Sequence, residues 1–150
     1  MENLKILKIK MKNKYQIILN YIKDISVEIP DAETLLAARE NIPLYKMNVD
    51  IQSQAVKNKM IEVTTKLTYF DTSNNKKKTH FEILFANVIK ILDEKIEKKA
   101  LEKIILCDLQ TKIYPRLETI FLSVLKDSGL PNIEFNKRID FEDLYNKRLN

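Results

Sequence analysis

Few side chains in this sequence could do covalent chemistry. Its 150 residues hold one histidine (His80), one cysteine (Cys107) and one glycine (Gly129). A Ser/His/Asp or Cys/His nucleophilic site would have to run through His80. That residue closely follows three lysines, Lys76 to Lys78, at a loop edge, where a solvated loop histidine is the simpler reading. One Cys and one His make no zinc ligand set, and one glycine cannot build a Gly-rich phosphate loop. The carboxylates Asp93 and Glu94, and again Glu142 and Asp143, are sequence neighbours that point apart, as at helix starts, and not acid/base pairs. The sequence therefore predicts no enzyme, no catalytic residue, no metal and no cofactor. A lone cysteine makes no internal disulfide and fits a reducing compartment.

Lysine and arginine number 26 against 21 acidic residues, a formal charge of +5. That allows an acidic partner without demanding one. The basic leader, residues 1–14 (MENLKILKIKMKNK), carries lysines at 5, 8, 10, 12 and 14. These interrupt every apolar run, so the leader lacks the apolar stretch of about 7–15 residues that a signal peptide needs. No window approaches the ~20 apolar residues of a membrane span. A cytoplasmic chain is expected, with Met11 an alternative start. The leader and Lys76–Lys78 are what a nucleic-acid-binding module would use, but no aromatic pair stands beside those lysines on a strand to stack bases. A solvated leader and a solvated hairpin tip are the plainer readings.

Residues 15–150 read as one domain. From Ile17 to Ile29 the odd positions are mostly apolar, the pattern of a half-buried strand ended by Pro30. Residues 31–44 are a long connection with room for one helical turn. Tyr45, Met47, Val49 and Ile51 mark a second strand; Ile61, Val63, Thr65, Leu67 and Tyr69 mark a third. A polar turn, Asp71–Lys78, leads to a fourth from Phe81 to Ile91, apolar on both faces near Leu84 and Val88. The spacing predicts an antiparallel meander. The period then becomes helical, through Ile96, Ala100, Ile104 and Ile105 and again through Leu109, Ile113, Leu117, Ile120 and Val124. Asp93 and Glu94 suit its start and Gly129 its stop; Pro115 should kink it or begin a second helix. Asp140 caps a short last helix, Phe141–Leu149, with Asp143 at its third position. The fold class is α+β: a four-stranded antiparallel sheet, then a long helix kinked or broken at proline, then a short C-terminal helix. Ile104, Leu106 and Ile113 point differently from Ile105, Leu109 and Leu117. One sheet cannot cover both stripes, so the helices predict either a thick core or self-association, the second being preferred.

Several segments together are similar to a known family. Tyr21-Ile22-Lys23-Asp24-Ile25-Ser26-Val27-Glu28-Ile29-Pro30 resembles the first strand of the protein-export chaperone SecB, Y-x-K-D-[IL]-S-F-E-x-P. Lys46-Met47-Asn48-Val49-Asp50 resembles its K-L-D-L-D, and Ile61-Glu62-Val63 its Y-E-V. Ile113-Tyr114-Pro115 stands for L-F-P, and Ile139 to Tyr145 resembles the closing I-D-F-x-x-L-Y. Departures are Ala86-Asn87 where the family has a small-residue pair, Glu118 in place of an arginine, Asn41 in place of a tryptophan, and a basic in place of an acidic chain.

The resemblance implies an ATP-independent holdase, assembled as a homotetrameric dimer of dimers. It would bind unfolded polypeptides in apolar grooves and hand preproteins to the motor SecA. Its groove candidates here are Leu35, Leu36, Ile42 and Leu44 in the connection, with Tyr114 and Phe121 on the helix. Asp24 and Glu28 match acidic positions that meet a basic part of SecA, and their spacing puts both on one strand face. Guarding one antitoxin of a toxin–antitoxin module is the alternative within the family; a nucleic-acid-binding module is the alternative outside it.

Overall fold

The computed structural model describes residues 14–130, 132–135 and 138–149; the leader up to residue 13 lies outside them. Four strands, β1 (Tyr15–Glu28), β2 (Tyr45–Val56), β3 (Met60–Asp71) and β4 (His80–Ile91), form one antiparallel sheet. Their order is β1-β4-β3-β2. The meander expectation holds for β2, β3 and β4 and fails for β1, which pairs with β4. The reason is the length of the connection after β1. It is too long for a tight hairpin, and it carries helix α1 (Ala32–Glu40) and a 3₁₀ turn, Ile42–Leu44, to the far side of the sheet. β1 and β2 are consequently the two edges.

The remaining helices are α2 (Lys98–Lys103), α3 (Leu109–Asp127) and α4 (Phe141–Leu149), with a π turn, Ile104–Asp108, between α2 and α3. Val63 and Leu67 of β3 and Phe81, Ile83, Phe85 and Ile89 of β4 share one sheet face by register and are buried. With Leu109, Ile113, Leu117, Phe121 and Leu125 of α3 they form the core. One polar link crosses this interface. Buried Gln110 accepts from the Thr65 hydroxyl at 2.9 Å and donates to the Ile105 carbonyl at 3.2 Å, inside the π turn.

Helix boundaries differ from expectation in two places. The helix starts at Lys98, because Asp93 closes a tight turn instead, accepting from the Lys95 amide at 3.0 Å. The break expected at Pro115 is absent, since α3 continues from Leu109 to Asp127 with Pro115 inside it, and the irregularity lies earlier, in the π turn. A π turn holds an extra residue per turn and so rotates the stripe that follows it. Both expected stripes are therefore largely buried within the chain: Ile104, Ile105, Leu109, Ile113 and Leu117 are buried, and Leu106 is half-buried. Much of the exposed apolar surface lies on β1, at Ile18, Leu19, Ile22, Ile25 and Val27.

The helix ends follow their sequence signals. Gly129 adopts φ +100°, and the amides of Gly129 and Leu130 bond the carbonyls of Lys126 and Leu125 at 3.1 and 3.0 Å, closing α3 with a Schellman motif. Asp140 caps α4, accepting from the Asp143 amide at 3.0 Å.

Candidate binding surfaces

An apolar strip follows the core-facing side of β2. Alternation turns Tyr45, Met47, Val49 and Ile51 toward that side, in unbroken register with Asp71, Tyr69, Leu67 and Thr65 of β3. β2 is an edge strand, and residues from the C-terminal part of the chain pack against this strip. Phe135 stacks edge-on against Tyr69 at 5.8 Å, and Tyr69 in turn lies 4.9 Å from Tyr45. Further along, the Tyr114 hydroxyl lies 4.0 Å from the Met47 sulfur, and its ring meets Phe141 at 5.3 Å. Burial holds the Tyr114 phenol well above its ordinary range, and pushes that of Tyr69 up to about 12. Both hydroxyls therefore stay neutral.

Two cavities open beside the strip. One of about 250 Å³ is lined by Val49, Asp50, Ile51, Leu106, Phe141, Leu144 and Tyr145. The other, about 420 Å³, lies between α3 and the start of α4, with Tyr114, Pro115, Ile139 and Phe141 among its walls. Phe141 is common to both. An extended apolar segment fits such a groove, since burying its side chains removes apolar surface from water.

The six groove candidates do not share one environment. Leu36 is 61% exposed and Leu44 46% exposed. Leu35 and Ile42 are half-buried against the core, Leu35 lying over Gly129. Tyr114 is buried and forms part of a cavity wall. Phe121 is 0% exposed, a side chain of the core. Helical spacing could not separate Phe121 from Tyr114, because both lie on inward stripes. Residues of the strip that the sequence reading passed over are Tyr69, Phe135, Phe141 and Leu144. Tyr69 and Phe141 were read only as strand and helix residues, and nothing local in the sequence says that Phe135 meets Tyr69.

The connection is pinned at both ends. Asp31 caps α1, accepting from the Thr34 amide and hydroxyl at 2.8 and 2.7 Å, and it pairs with Lys77 at 2.9 Å. These contacts, the Thr34 hydroxyl foremost, hold the Asp31 carboxyl down at about 2. Leu44 presents its carbonyl to the Thr72 amide and hydroxyl at 3.0 and 2.6 Å. Two of the three run lysines are engaged within the chain: Lys77 with Asp31, and Lys78 with the Asp71 carbonyl at 3.1 Å.

The opposite face of the sheet carries the acidic pair. Asp24 is opposite Leu84, Ser26 opposite Glu82 and Glu28 opposite His80, so these side chains share the outer face. Asp24 and Glu28 are exposed. Glu82 joins them, a carboxylate that the sequence reading missed because β4 supplies it. Upstream on the same face, the Tyr21 hydroxyl donates to one oxygen of Glu62, and Lys23 donates to the other at 2.6 Å. The Lys23 ammonium and Tyr21 hydroxyl hold the Glu62 carboxyl below its ordinary range.

The class this arrangement defines is a four-stranded antiparallel sheet backed by helices, with an apolar strip at one edge and the carboxylates Asp24, Glu28 and Glu82 on the face behind it. The chain matches the family model described as preprotein translocase subunit SecB over residues 8–150. It belongs to the SecB family. It is 52% identical over 141 residues to the putative protein-export protein SecB of Pelagibacter ubique, covering 93% of this chain and 100% of that one. It is 24% identical over 135 residues to the protein-export protein SecB of Bartonella quintana, covering 90% of this chain and 84% of that one. In fold it is similar to a Mycobacterium tuberculosis SecB-like chaperone solved in complex with an antitoxin peptide. That match has TM-score 0.64 and 12% identity, and covers 91% of this chain and 96% of the other.

Proposed function

We propose that this chain is an ATP-independent holdase of protein export, acting in the cytoplasm. It binds unfolded preproteins along the β2 strip and passes them to SecA. The observation that carries this reading is the coincidence of an apolar strip with the edge position of β2 in the sheet. A non-native chain exposes both apolar side chains and unpaired peptide groups. The strip and its cavities take the first, and the β2 edge takes the second by strand addition. Family membership supports the same reading. Among the described residues, no helix is long and apolar enough to cross a membrane.

The client surface in this reading comprises Leu36 and Leu44, exposed on the connection, with Leu144 and the walls of the two cavities. Leu35, Ile42 and Tyr114 support it from beneath. The outer-face carboxylates Asp24, Glu28 and Glu82 dock a cationic segment of SecA, by complementary charge that steers encounter more than it adds affinity. Exposed apolar residues on β1 make that edge the surface for assembly with further copies of the chain, toward a dimer of dimers.

The test is light scattering of an aggregating unfolded protein without nucleotide, followed by SecA pull-down. Suppression near stoichiometry supports the holdase, and loss of SecA capture in Asp24→Lys supports docking. A well-folded chain that suppresses nothing contradicts the general holdase. A second reading, a chaperone dedicated to one antitoxin, draws on the peptide complex of the Mycobacterium tuberculosis relative. It predicts capture of a single client and no broad suppression.

A further inference from the structure

A third cavity, of about 670 Å³, opens where the start of β1 meets the starts of α3 and α4. Tyr15, Cys107, Ile139 and Phe141 give it apolar walls. Its other lining residues are Thr111, the carboxylates Asp108, Asp140 and Glu142, and the cations Lys112 and Arg138, all of them exposed. Lys112 is turned onto the Tyr15 ring, its ammonium 4.6 Å from the centroid. None of the three carboxylates joins an ion pair among the described residues. They nonetheless bear on one point. Burial pushes the Cys107 thiol up, and the charges of Asp108, Glu142 and Asp140 push it further, with Lys103 alone opposing. The Tyr15 hydroxyl is buried and finds no hydrogen-bond partner among the described residues. Buried polar groups are seldom left so. The cavity thus offers apolar walls, three carboxylates against two cations, and a hydroxyl in want of a partner.

The leader carries the complement of each and joins the fold at this place. Lys14 is fixed at the head of β1, its carbonyl accepting from the Leu92 amide at 2.9 Å, so residues 1–13 attach one residue before Tyr15 in the cavity wall. They include lysines at 5, 8, 10 and 12 against Glu2 alone. Leu7, Ile9 and Met11 alternate with Lys8, Lys10 and Lys12, so an extended segment would set an apolar row on one side and a basic row on the other. If extended, residues 1–13 reach about 45 Å at most, enough to pass beyond the cavity. The adjoining cavity between α3 and α4 shares Thr111, Arg138, Ile139 and Phe141 with this one, and it belongs to the client surface. A copy of the chain joined along the β1 edge would extend the sheet in its own plane, whereas this cavity lies on the helix side of that plane.

We propose that the leader, residues 1–13, occupies this cavity and competes with clients for the adjoining one. Leu7, Ile9 and Met11 lie against Cys107, Ile139 and Phe141, and the alternating lysines pair with Asp108 and Glu142. The leader is then an attached pseudo-client, present at an effective concentration that a free segment does not match. The competition half of this inference rests on the client reading above; the seat does not.

The experiment uses the full chain and reads the two halves separately. Ile9→Cys places a second thiol in the leader. Mild oxidation at low protein concentration should close a disulfide with Cys107 inside one chain, identified by mass spectrometry of the unreduced digest. Lys8→Glu, Lys10→Glu and Lys12→Glu together should slow that cross-link about fivefold, the loss of a few exposed ion pairs. Asp108→Lys with Glu142→Lys should slow it likewise, and combining the two sets should restore it. The leader reversal alters no described residue, so it separates seating from folding. No cross-link, or one that neither reversal slows, overturns the seat. A disulfide joining two chains assigns the leader to a second copy and overturns it too. Affinity for a permanently unfolded client of zero net charge is measured alongside. It should rise about threefold in the leader reversal and return in the charge-swapped chain, as for a competitor removed and replaced. Unchanged client affinity with a slowed cross-link overturns the competition and leaves the seat. If no variant binds the client, the holdase reading fails while the cross-link result stands.

Discussion

The two edges of this sheet solve one problem in opposite ways. β2 keeps perfect register with β3 over all twelve residues, from Tyr45↔Asp71 to Val56↔Met60. Its inward residues Met47, Val49 and Ile51 pack against the core, so a slip of one residue would expose all of them and bury Lys46, Asn48 and Asp50. β1 begins the same way, with Tyr15 and Ile17 against the core, but its register shifts twice, and Ile22, Ile25 and Val27 are exposed. There Tyr21 and Lys23 both donate to Glu62 of β3, a polar link that β2 does not need within its own register. An edge fixed by burial can offer its backbone and apolar flank to a passing chain without losing its place.

The largest expected effect separates core from groove. Phe121→Ala should lower stability by about 3–5 kcal/mol in urea unfolding, as for a fully buried aromatic. At temperatures where it remains folded, client binding should be unchanged. Selective loss of client binding at unchanged stability would return Phe121 to the groove.

Gly129→Ala should cost about 1–3 kcal/mol, from left-handed backbone strain. The new Cβ would also fall 2.9 Å from a Leu35 methyl, so α1 should loosen on the β2 side. Hydrogen exchange should show faster amides in α1 and unchanged ones in β1.

Leu36→Ser with Leu44→Ser tests the β2 side directly. Both are exposed, so stability should move by no more than about 0.5 kcal/mol for each. Client affinity should fall about tenfold by fluorescence anisotropy of a labelled unfolded client, the loss of one or two contact anchors.

The smallest effect is electrostatic. Asp31 has its folded pKa lowered from 3.8 to about 2, so the cap contributes above pH ~4 and is lost as pH falls through about 2. The Thr34 amide resonance should titrate with a midpoint near 2, and Thr34→Ala should move it back up toward the ordinary carboxylate value.

The fold class, the four strands, the Gly129 stop and the Asp140 cap were legible because each is a local signal, a period or a residue type at a chain end. The placement of β1 beside β4 was not, because pairing depends on where the connection lands and not on the strands themselves. The bulges at Ile18 and Lys23 left no glycine or proline to mark them. Reading the odd positions as one face therefore put Tyr21 and Lys23 with Ile17, whereas the structure turns them to the outer face and brings Ile22 to the helix side. Among site residues, Asp24 and Glu28 were placed on one face by spacing alone. Tyr69, Phe135 and Phe141 form the strip from three distant segments, and only the tertiary fold joins them.

The most direct test of the account compares the two edges in one measurement. Hydrogen exchange followed by mass spectrometry would be run on the chain alone and with a bound, permanently unfolded client. The account predicts new protection along Tyr45–Val56 of β2 and in α4, with β1 unchanged. Protection confined to β1, or none at saturating client, would contradict it.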